Sequence, residues 1–391
     1  MALVTERIED NVLYLELNGR IDSSNADQAE ELIKAIKAAH PDLPSVLDAE
    51  QLEYLSSAGL RVVLRMRKDA ADLKMINVNS EVYEILDMTG FTDMLTVEKA
   101  FRRLSLEGCE LIAKGANGTV YRYDPETIVK IYHNGASLEE IRLEKDLCRK
   151  VFIKGINTAI PYDVVKVGDC YGSVAELLSA KSIAKLLRAD PDSLEENMAV
   201  YTELLKRIHE TPVLPGEMPS IKETGVDWAE FLQPYLPAEQ WEKLLTMMKA
   251  IPEPEFMIHG DYHANNVMIQ NGEPLLIDMD TVAYGHPIFE FASIYLGFVG
   301  YCECNHAGST DFYGLPYEVT VKMWETLMKQ YFEDEAVRKD VERKAQVIGY
   351  ARMMRRTIRR NGFNTPDGQE LIALCKRRLS ELLPQVEQLY Y

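Results

Sequence analysis

The first hundred residues alternate short runs that have the two-residue periodicity of strands with longer runs that have the periodicity of helices. The strand-like runs cover residues 12–17, 45–47 and 73–78, and the helix-like runs cover residues 24–39, 58–70 and 80–88. Strands and helices that alternate in this way are typical of a small layered α/β domain. We therefore predict such a domain over residues 1–100, with a boundary in the charged stretch 98–107.

From residue 108 onward the order of the signals is different. Gly115 and Gly118 mark a hairpin turn with few side chains, and the strand-like run 127–132 that follows contains a single lysine, Lys130. Such a turn lets backbone N–H groups approach phosphate oxygens, and a strand lysine can bring its charge to the same oxygens. Turns of this kind are also common where nothing binds, and a strand lysine commonly faces solvent. Both glycines and the lysine are therefore candidates for binding nucleotide phosphates.

A helix predicted over residues 137–151 offers a partner for this lysine. Its glutamates Glu139, Glu140 and Glu144 could each form an ion pair with Lys130, as a helix glutamate does in protein kinases. Glu139 and Glu140 lie in the first turn, where the helix dipole already favours an acidic residue. Glu144 lies in the middle of the helix among apolar residues, and it is the partner that we predict.

Two apolar runs flank Asn271-Gly272, which is a strong signal for a β-hairpin turn. Pairing outward from the turn brings Asn265 or Asn266 level with Asp278. An even loop places Asn265 opposite Asp278, whereas a three-residue loop with a bulge places Asn266 there. In both registers an amide oxygen and a carboxylate converge.

Oxygen atoms that converge in a polar loop suit Mg²⁺, which takes few protein ligands and completes its shell with water and phosphates. Asp261, in the loop before the hairpin, is then available to orient a hydroxyl and accept its proton during phosphoryl transfer. His259 is explained equally well as a structural histidine. Polar residues are common in turns, but Asp261, Asn266 and Asp278 together favour phosphoryl transfer.

Composition narrows the possible partners. A chain of 391 residues is longer than most single domains with one hydrophobic core, so two or three domains are expected. Hydrophobic residues at 47% exclude a disordered or collagen-like chain. The 62 acidic and 43 basic residues leave a net charge of −19, which argues against nucleic-acid and membrane-surface partners.

The sequence shows neither a signal peptide nor an apolar run long enough to span a bilayer, so we expect a cytoplasmic protein. The six cysteines form no regular framework, and the close pair Cys302 and Cys304 lacks partners at zinc-site spacing. Reduced thiols are therefore expected rather than disulfides or a metal site.

A pair of serines, Ser56 and Ser57, precedes Ala58-Gly59 at the start of a predicted helix. Free backbone N–H groups and the positive end of the helix dipole favour a phosphate at this place. Helix capping alone also accounts for serines here. Ser57 is therefore a candidate phosphorylation site that local chemistry leaves open.

Residues 18–22, the strand end at Asp48 and residues 54–60 together resemble the STAS domain of anti-sigma factor antagonists over roughly the first hundred residues. The resemblance implies a phosphorylatable serine, which corresponds to Ser57. Ser56 stands where the family often has Asp, so a carboxylate next to the phosphate acceptor is missing. The resemblance also implies a protein partner for this domain, such as an anti-sigma factor.

Residues 259–266 and 277–280 resemble the catalytic loop and the metal motif of the aminoglycoside phosphotransferase family, which has a protein-kinase-like fold. The similarity covers residues 108–391 and extends in order through the glycine turn, the strand lysine, the hinge-like segment 175–178 and residues 204–209. It implies a bilobed domain that uses ATP and Mg²⁺.

This resemblance assigns roles residue by residue. It implies a catalytic base at Asp261, Mg²⁺ binding by Asn266 and Asp278, and contact between Lys130 and the ATP phosphates. The hinge-like segment adds Glu176 as a nucleotide-binding residue. The chain departs from the family in two ways: its nucleotide loop has fewer glycines than the protein-kinase pattern, and Glu290 stands where the family usually has an Asp of mainly structural role.

A basic stripe stands out in this acidic chain. Its members fall at i, i+3, i+4, i+7 and i+8 of a predicted helix: Arg352, Arg355, Arg356, Arg359 and Arg360. The stripe could bind an anionic substrate or acidic parts of the chain, and a salt-bridged surface is the simpler interpretation. The aromatic residues between 289 and 301 are more typical of a helix core than of a substrate cage.

Together these features predict a two-domain protein, with an α/β STAS domain followed by an α+β kinase-like domain. The predicted activity is transfer of the ATP γ-phosphoryl group to a hydroxyl of a small molecule, such as an aminoglycoside, choline or a sugar. Two alternatives stay open: a regulatory protein of the anti-sigma factor antagonist type with a nucleotide-sensing domain, and a protein kinase that acts on a STAS serine. The intact Lys130, Asp261, Asn266 and Asp278 set argues against the first, and the sparse glycine loop argues against the second.

Overall fold

The structure is a computed structural model that describes residues 2–114, 118–133 and 138–391. The chain forms two compact units, and each has its own hydrophobic core. The first unit comprises Met1–Ser105 and Val164–Asp169, and the second comprises Leu106–Asp163 and Cys170–Tyr391.

Within the described residues, the first unit contains a five-stranded sheet and three helices. In chain order the elements are β1 (Val4–Glu9), β2 (Val12–Ile21), α1 (Ala26–Ala39), β3 (Ser45–Leu55), α2 (Ser57–Asp69), β4 (Lys74–Val78), α3 (Ser80–Met88), β5 (Thr96–Lys99) and a short β6 (Arg102–Arg103). The sheet order is β1-β2-β3-β4-β5, in which only the β1–β2 pair is antiparallel. This is the layered α/β arrangement that the sequence predicts.

Strand β2 shows how the sheet builds the core of the first unit. Leu13, Leu15 and Leu17 are almost inaccessible to solvent, and they alternate with residues that are only half-buried. Helix α2 packs closely on the sheet because Gly59 has no side chain. A Cβ at that position would lie 2.6 Å from Leu55 Cδ1 and 3.0 Å from Ile21 O.

The second unit begins with an antiparallel sheet and one helix. The elements are β7 (Glu110–Lys114), β8 (Gly118–Arg122), β9 (Thr127–Tyr132), α4 (Leu138–Ile153) and β11 (Cys170–Glu176). Strand β10 (Pro161–Val167) is divided between the units, since its residues from Val164 onward belong to the first. Four of the strands are antiparallel neighbours in the order β11-β9-β8-β7. Lys130 of β9 pairs with Val120 on one side and with Ser173 on the other, so it lies inside the sheet.

The rest of the second unit is mainly helical. Its elements are β12 (Lys181–Ser182), α5 (Ile183–Ala189), α6 (Leu194–His209), α7 (Ile221–Phe231), α8 (Ala238–Lys249), β13 (Met257–Ile258), β14 (Val267–Gln270), β15 (Glu273–Leu276), β16 (Ala283–Tyr284), α9 (Ile288–Phe298), α10 (Ala307–Tyr313), α11 (Tyr317–Tyr331), α12 (Glu335–Arg359) and α13 (Pro366–Leu382). Nearly every residue of α9 is buried, including Phe289, Phe291 and Phe298. This helix is therefore the centre of the core, as its aromatic pattern predicts.

Several predicted elements differ from the observed ones at their ends. The helices predicted at 58–70 and 80–88 are present as α2 and α3 with nearly the same bounds. The strand predicted at 45–47 is much longer, because β3 continues to Leu55 in a register that pairs it with β2. The sequence pattern missed β1 and β5, which are edge strands with few buried side chains.

The helices that the structure describes include none that is both long and apolar enough to cross a lipid bilayer. The six cysteines are free thiols, and three of them are buried: Cys148, Cys302 and Cys375.

Candidate active site

The lysine inside the sheet of the second unit makes two ion pairs. Lys130 Nζ lies 2.8 Å from Glu144 Oε1 and 3.1 Å from Asp278 Oδ1. Glu144 lies in the middle of α4, and Asp278 follows β15 in the chain. Lys130 thus forms the predicted ion pair with Glu144. Asp278, from a distant part of the unit, provides a second carboxylate.

Glu144 has a second partner on its other oxygen. Tyr132 OH donates to Glu144 Oε2 over 2.9 Å and lies 3.1 Å from Ser173 Oγ. Burial alone would lower the pKa of Lys130, but the carboxylates of Asp278 and Glu144 outweigh burial and raise this pKa. The lysine therefore stays protonated and acts as a fixed positive charge.

The polar loop after β13 is anchored by a buried glutamate. Glu290 accepts hydrogen bonds from the backbone N–H groups of His259 and, over 3.0 Å, Gly260. Thr281 Oγ1 donates to the His259 carbonyl over 2.8 Å. Burial raises the pKa of Glu290 to about 7, although the two N–H donors oppose that change. The residue that replaces the family's usual Asp thus holds the backbone of the loop.

His259 has the contacts of a structural histidine. Its Nδ1 accepts the backbone N–H of Asp261 over 3.3 Å, and its Nε2 lies 3.2 Å from the Ile277 carbonyl. Burial lowers the pKa of this imidazole. The neutral ring with its proton on Nε2 satisfies both contacts, so His259 links the loop to the end of the hairpin.

Asp261 is the carboxylate that the loop presents to solvent, with 38% of its side chain exposed. Arg352 Nη2 lies 4.0 Å from Asp261 Oδ1, and His263 Nε2 lies 3.7 Å from Oδ2. Burial lowers the pKa of His263, which favours a neutral ring. The Asp261 carboxylate is therefore partly accessible from solvent.

The hairpin that follows has the two-residue turn that the sequence predicts at Asn271-Gly272. Both residues have positive φ, +52° and +85°, as a tight turn between twisted strands requires. The ladder between β14 and β15 has the even-loop register. Extending this register outward by counting residues places Asn265, rather than Asn266, opposite Asp278.

The strand register places Asn265 opposite Asp278, but the hydrogen bonds of the two asparagines favour Asn266 as a ligand. The half-buried Asn265 donates through Nδ2 to the Phe312 carbonyl over 2.9 Å. The buried Asn266 donates through Nδ2 to the Asp261 carbonyl over 3.1 Å. This bond orients the Asn266 amide and leaves its Oδ1 as the atom suited to a cation.

The region around Asp278 carries an excess of negative charge. Asp278 itself has φ +66°, a left-handed conformation that residues with a side chain seldom adopt. Burial, together with the carboxylates of Asp278 and Glu144, raises the pKa of Asp280 to about 7. A cation would relieve this repulsion, and the oxygens of Asn266 and Asp278 are of the kind that Mg²⁺ prefers. The residues present therefore fit a magnesium ion.

Of the two glycines predicted to bind phosphate, Gly115 lies outside the described residues. Gly118 begins β8, and a Cβ there would lie 2.6 Å from Ile131 O, so a larger residue would force the strands apart. Glu176 is exposed at the end of β11, opposite Thr127 of β9. The nucleotide contacts of these three predicted residues stay predictions.

Ser56, and not Ser57, caps helix α2 in the first unit. Ser56 Oγ accepts the backbone N–H of Ala58 over 3.2 Å. Ser57 is the first residue of the helix, and its side chain is exposed. Ser56 is therefore the capping residue, and Ser57 stays a candidate phosphorylation site.

Sequence reasoning missed two features that support the loop. Arg352 Nη1 donates to the Gly260 carbonyl over 2.9 Å, and its guanidinium lies 5.2 Å from the centroid of the Trp228 ring. Tyr201 and Tyr262 each donate a hydroxyl to the other's backbone carbonyl, over 2.8 and 2.7 Å. The arginine stripe was the only sequence signal for either feature.

Two family models match successive parts of the chain. The phosphotransferase enzyme family matches residues 108–308, slightly more than half of the chain, and the STAS domain matches residues 4–106. A curated protein of Bordetella bronchiseptica, BtrV, which is named as an anti-sigma factor antagonist, is 34% identical over 101 residues. That match covers 25% of this chain and 85% of BtrV.

Similar solved structures are more distant. Aminoglycoside phosphotransferase APH(2'')-Ib with ADP bound is 17% identical and has a TM-score of 0.47, with 80% of this chain and 99% of that chain covered. The gentamicin complex of APH(2'')-IIa is also 17% identical and has a TM-score of 0.46, with 81% and 100% covered. The two family matches confirm the predicted architecture, a STAS domain followed by a kinase-like phosphotransferase domain.

Proposed function

The chain belongs to the phosphotransferase enzyme family, and on that basis we propose that its second unit transfers the γ-phosphoryl group of ATP to a hydroxyl of a small molecule. Mg²⁺ is the proposed cofactor. One observation carries this proposal: Glu144 and Asp278 each lie within 3.1 Å of Lys130, in the same unit as the partly exposed carboxylate of Asp261. A positive charge for the phosphates and a base for the acceptor are the two protein groups that the reaction needs most.

In the proposed reaction the acceptor oxygen forms a bond to the γ-phosphorus, and the bond from that phosphorus to the bridging oxygen breaks. ADP leaves with the electron pair of the broken bond. The hydroxyl proton passes to the Asp261 carboxylate. Lys130 stabilises the charge on the phosphate oxygens, since its own charge is maintained by Glu144 and Asp278.

The loop contacts position Asp261 for this role. Asn266 binds the carbonyl of Asp261, and Arg352 binds the carbonyl of the preceding Gly260. Asn266 Oδ1 and the Asp278 carboxylate are the groups that would hold Mg²⁺. When bound, the ion would supply positive charge to the phosphate oxygens in addition to that of Lys130.

Calorimetry and an acceptor screen test this proposal. We expect the full chain to bind ATP only weakly until Mg²⁺ is added, and to consume ATP with one class among hydroxylated metabolites and aminoglycosides. Asp261→Asn is the control, and it should bind the nucleotide without consuming it. Failure of the folded chain to bind ATP in the presence of Mg²⁺ would rule out the kinase function.

We also propose that the first unit binds a protein partner, such as an anti-sigma factor, and that phosphorylation of Ser57 controls this binding. The STAS match and the exposure of Ser57 at the start of α2 support this role. A nucleotide sensor without catalysis is the weaker proposal, since a sensor has no use for the partly exposed carboxylate of Asp261 in the same unit as the lysine cluster.

A further inference from the structure

Two arginines of α12 lie close to the proposed catalytic base. Arg352 and Arg356 are four residues apart, so they project from the same face of the helix, one turn apart. Arg352 Nη2 lies 4.0 Å from Asp261 Oδ1. Arg356 is near enough to the same carboxylate for Asp261 to help stabilise its charge. Part of the basic stripe therefore reaches the region that a phosphate acceptor must enter.

The two arginines differ in their contacts with the rest of the protein. Arg352 is mostly buried, with 17% of its side chain exposed, and its bond to the Gly260 carbonyl supports the loop. Arg356 is exposed. Arg356 Nη1 lies 3.2 Å from Tyr301 OH, and the guanidinium lies 5.6 Å from the centroid of that ring. Arg356 is thus an accessible cation held by an aromatic residue.

The nearby acidic residues are engaged elsewhere. Glu303 is paired with Arg378 at 2.8 Å and also accepts the hydroxyl of Tyr350. The negative charge of Asp227 interacts with Arg355, the member of the stripe whose guanidinium lies over the Phe231 ring. Among the interactions found in the described residues, the carboxylate shared by Arg352 and Arg356 is that of Asp261. Arg352 also acts on the buried Glu290, so the guanidinium whose charge is left for an acceptor is that of the exposed Arg356.

The aromatic neighbours of Asp261 add apolar surface. The His263 ring, whose pKa burial lowers, lies beside Asp261 and 5.1 Å from the ring of Phe312. Phe312 is 54% exposed. A site with two guanidinium groups and an exposed aromatic ring suits a compact oxyanion, because guanidinium matches carboxylate and phosphate geometry. A polycation would meet repulsion from Arg356.

We propose that the acceptor is an anion, a hydroxyl compound whose carboxylate or phosphate group binds Arg356 while its hydroxyl lies at Asp261. This inference rests on the proposed kinase function and names its substrate class. The acceptor hydroxyl loses its proton to Asp261 and gains the γ-phosphoryl group of ATP, and ADP is released. The anionic group takes no part in bond making and serves for recognition.

Two acceptor sets of matched size test the proposal with the full chain, ATP and Mg²⁺. The three-carbon set is glycerate, glycerol 3-phosphate, glycerol and 2-amino-1,3-propanediol. The six-carbon set is gluconate, glucose 6-phosphate, glucose and glucosamine, with kanamycin added as a polycation. We expect kcat/KM for the best anion to exceed that of its neutral and cationic counterparts by about 10-fold or more. Comparison of the carboxylates with the phosphates then identifies the anionic group.

Variants of Arg356 show whether the preference for anionic acceptors depends on this residue. Arg356→Gln should raise KM for the anion about 10-fold while kcat changes little, and Arg356→Lys should recover part of the loss. Arg360→Gln, at the end of the same helix, removes an equal charge outside the proposed site and should leave KM unchanged. Equal effects of Arg356→Gln and Arg360→Gln would overturn the proposal, since they would show a general effect of charge.

Calorimetry on the full chain with Mg²⁺ and ADP measures acceptor binding without turnover. We expect the anions of both sets to bind more tightly than the neutral and cationic members. Preference for glucosamine or kanamycin, or binding of no anion at all, would overturn the substrate class while leaving the kinase function intact. Loss of the kinase function itself would instead be seen as a failure to bind the nucleotide.

Discussion

Lys130 Nζ lies 3.1 Å from Asp278 Oδ1, although 148 positions separate the two residues in the chain. Strand β9 supplies the lysine, and the segment after β15 supplies the aspartate. Glu144 of α4 holds the same ammonium group at 2.8 Å. Because the lysine has two carboxylate partners, removal of one partner leaves the other in place, so the two partners can be tested separately.

Replacing Lys130 with alanine removes the charge proposed to hold the nucleotide phosphates. We expect nucleotide affinity to fall about 10-fold or more and turnover to fall about 10²-fold or more. Glu144→Gln retains the lysine and its ion pair with Asp278, so its losses should be smaller. Calorimetry and steady-state kinetics measure both quantities.

The matched control for these variants is Glu139→Gln, in the first turn of the same helix, where the side chain is exposed. It should leave affinity and turnover unchanged. A folded Lys130→Ala variant with normal nucleotide affinity would contradict the proposed role of the lysine.

Asp261→Asn tests the proposed base. The asparagine keeps the size of the side chain and the backbone N–H contact to His259, but it cannot accept the acceptor's proton. Turnover should fall by about 10²–10⁴-fold, while nucleotide affinity stays nearly unchanged because Asp261 acts on the acceptor. Turnover equal to that of the parent would remove Asp261 from the mechanism.

The two neighbouring asparagines provide an internal comparison for the metal site. Asn266→Ala should raise the Mg²⁺ concentration needed for half-maximal activity by about 10-fold or more, and Asn265→Ala should not. Asn266→Asp keeps an oxygen ligand but loses the donor to the Asp261 carbonyl, so it should retain Mg²⁺ dependence near that of the parent. A larger effect at Asn265 would assign the ligand to that residue instead.

Glu290 should make the stability of the second unit depend on pH. Burial raises its pKa to about 7 from the ordinary value of 4.5. Between these two pH values the folded chain holds a proton that the unfolded chain has released, so stability falls as pH rises. The contribution of this group is on the order of 3 kcal/mol over the whole window.

Chemical denaturation of the parent and of Glu290→Gln at several pH values between 5 and 8 measures this effect. Glutamine imitates the protonated carboxyl group, so the variant should lack the part of the pH dependence that comes from Glu290. Parallel stability curves for the two proteins would show that Glu290 does not titrate in this range.

Ser56 and Ser57 should respond differently to removal of the hydroxyl group. Ser56→Ala loses the cap of α2 and should destabilise the first unit by about 1 kcal/mol, whereas Ser57→Ala should change stability by less than about 0.5 kcal/mol. Denaturation curves supply the stability comparison.

Phosphate mapped by mass spectrometry should be found on Ser57 of the parent chain and be absent from Ser57→Ala.

The source of that phosphate can be determined in the same experiment. Incubation of the full chain with ATP and Mg²⁺, beside Asp261→Asn, separates modification by the attached phosphotransferase unit from modification by an external kinase. Unchanged binding of a captured anti-sigma factor to Ser57→Asp would contradict the proposed control of partner binding.

Features that depend on a few neighbouring residues were predicted correctly from the sequence. The Asn271-Gly272 turn follows from the need for two positive φ angles, and the start of α2 follows from serine capping. The apolar neighbours of Glu144 on the helix predict it as the partner of Lys130, and Glu144 forms that ion pair. Each of these features depends on forces that act within about one helical turn or one hairpin, so the local sequence pattern is enough to predict it.

Contacts between distant segments required the tertiary structure. Residue counting from the hairpin turn places Asn265 opposite Asp278, yet Asn266 is the buried residue that binds the Asp261 carbonyl. Arg352 and Asp261 come close only because α12 packs beside the polar loop. Many arrangements of the same helices and strands share one local pattern, and long-range packing selects among them. Which side chain faces the site is therefore decided by the packed core rather than by the neighbours of that residue in the chain.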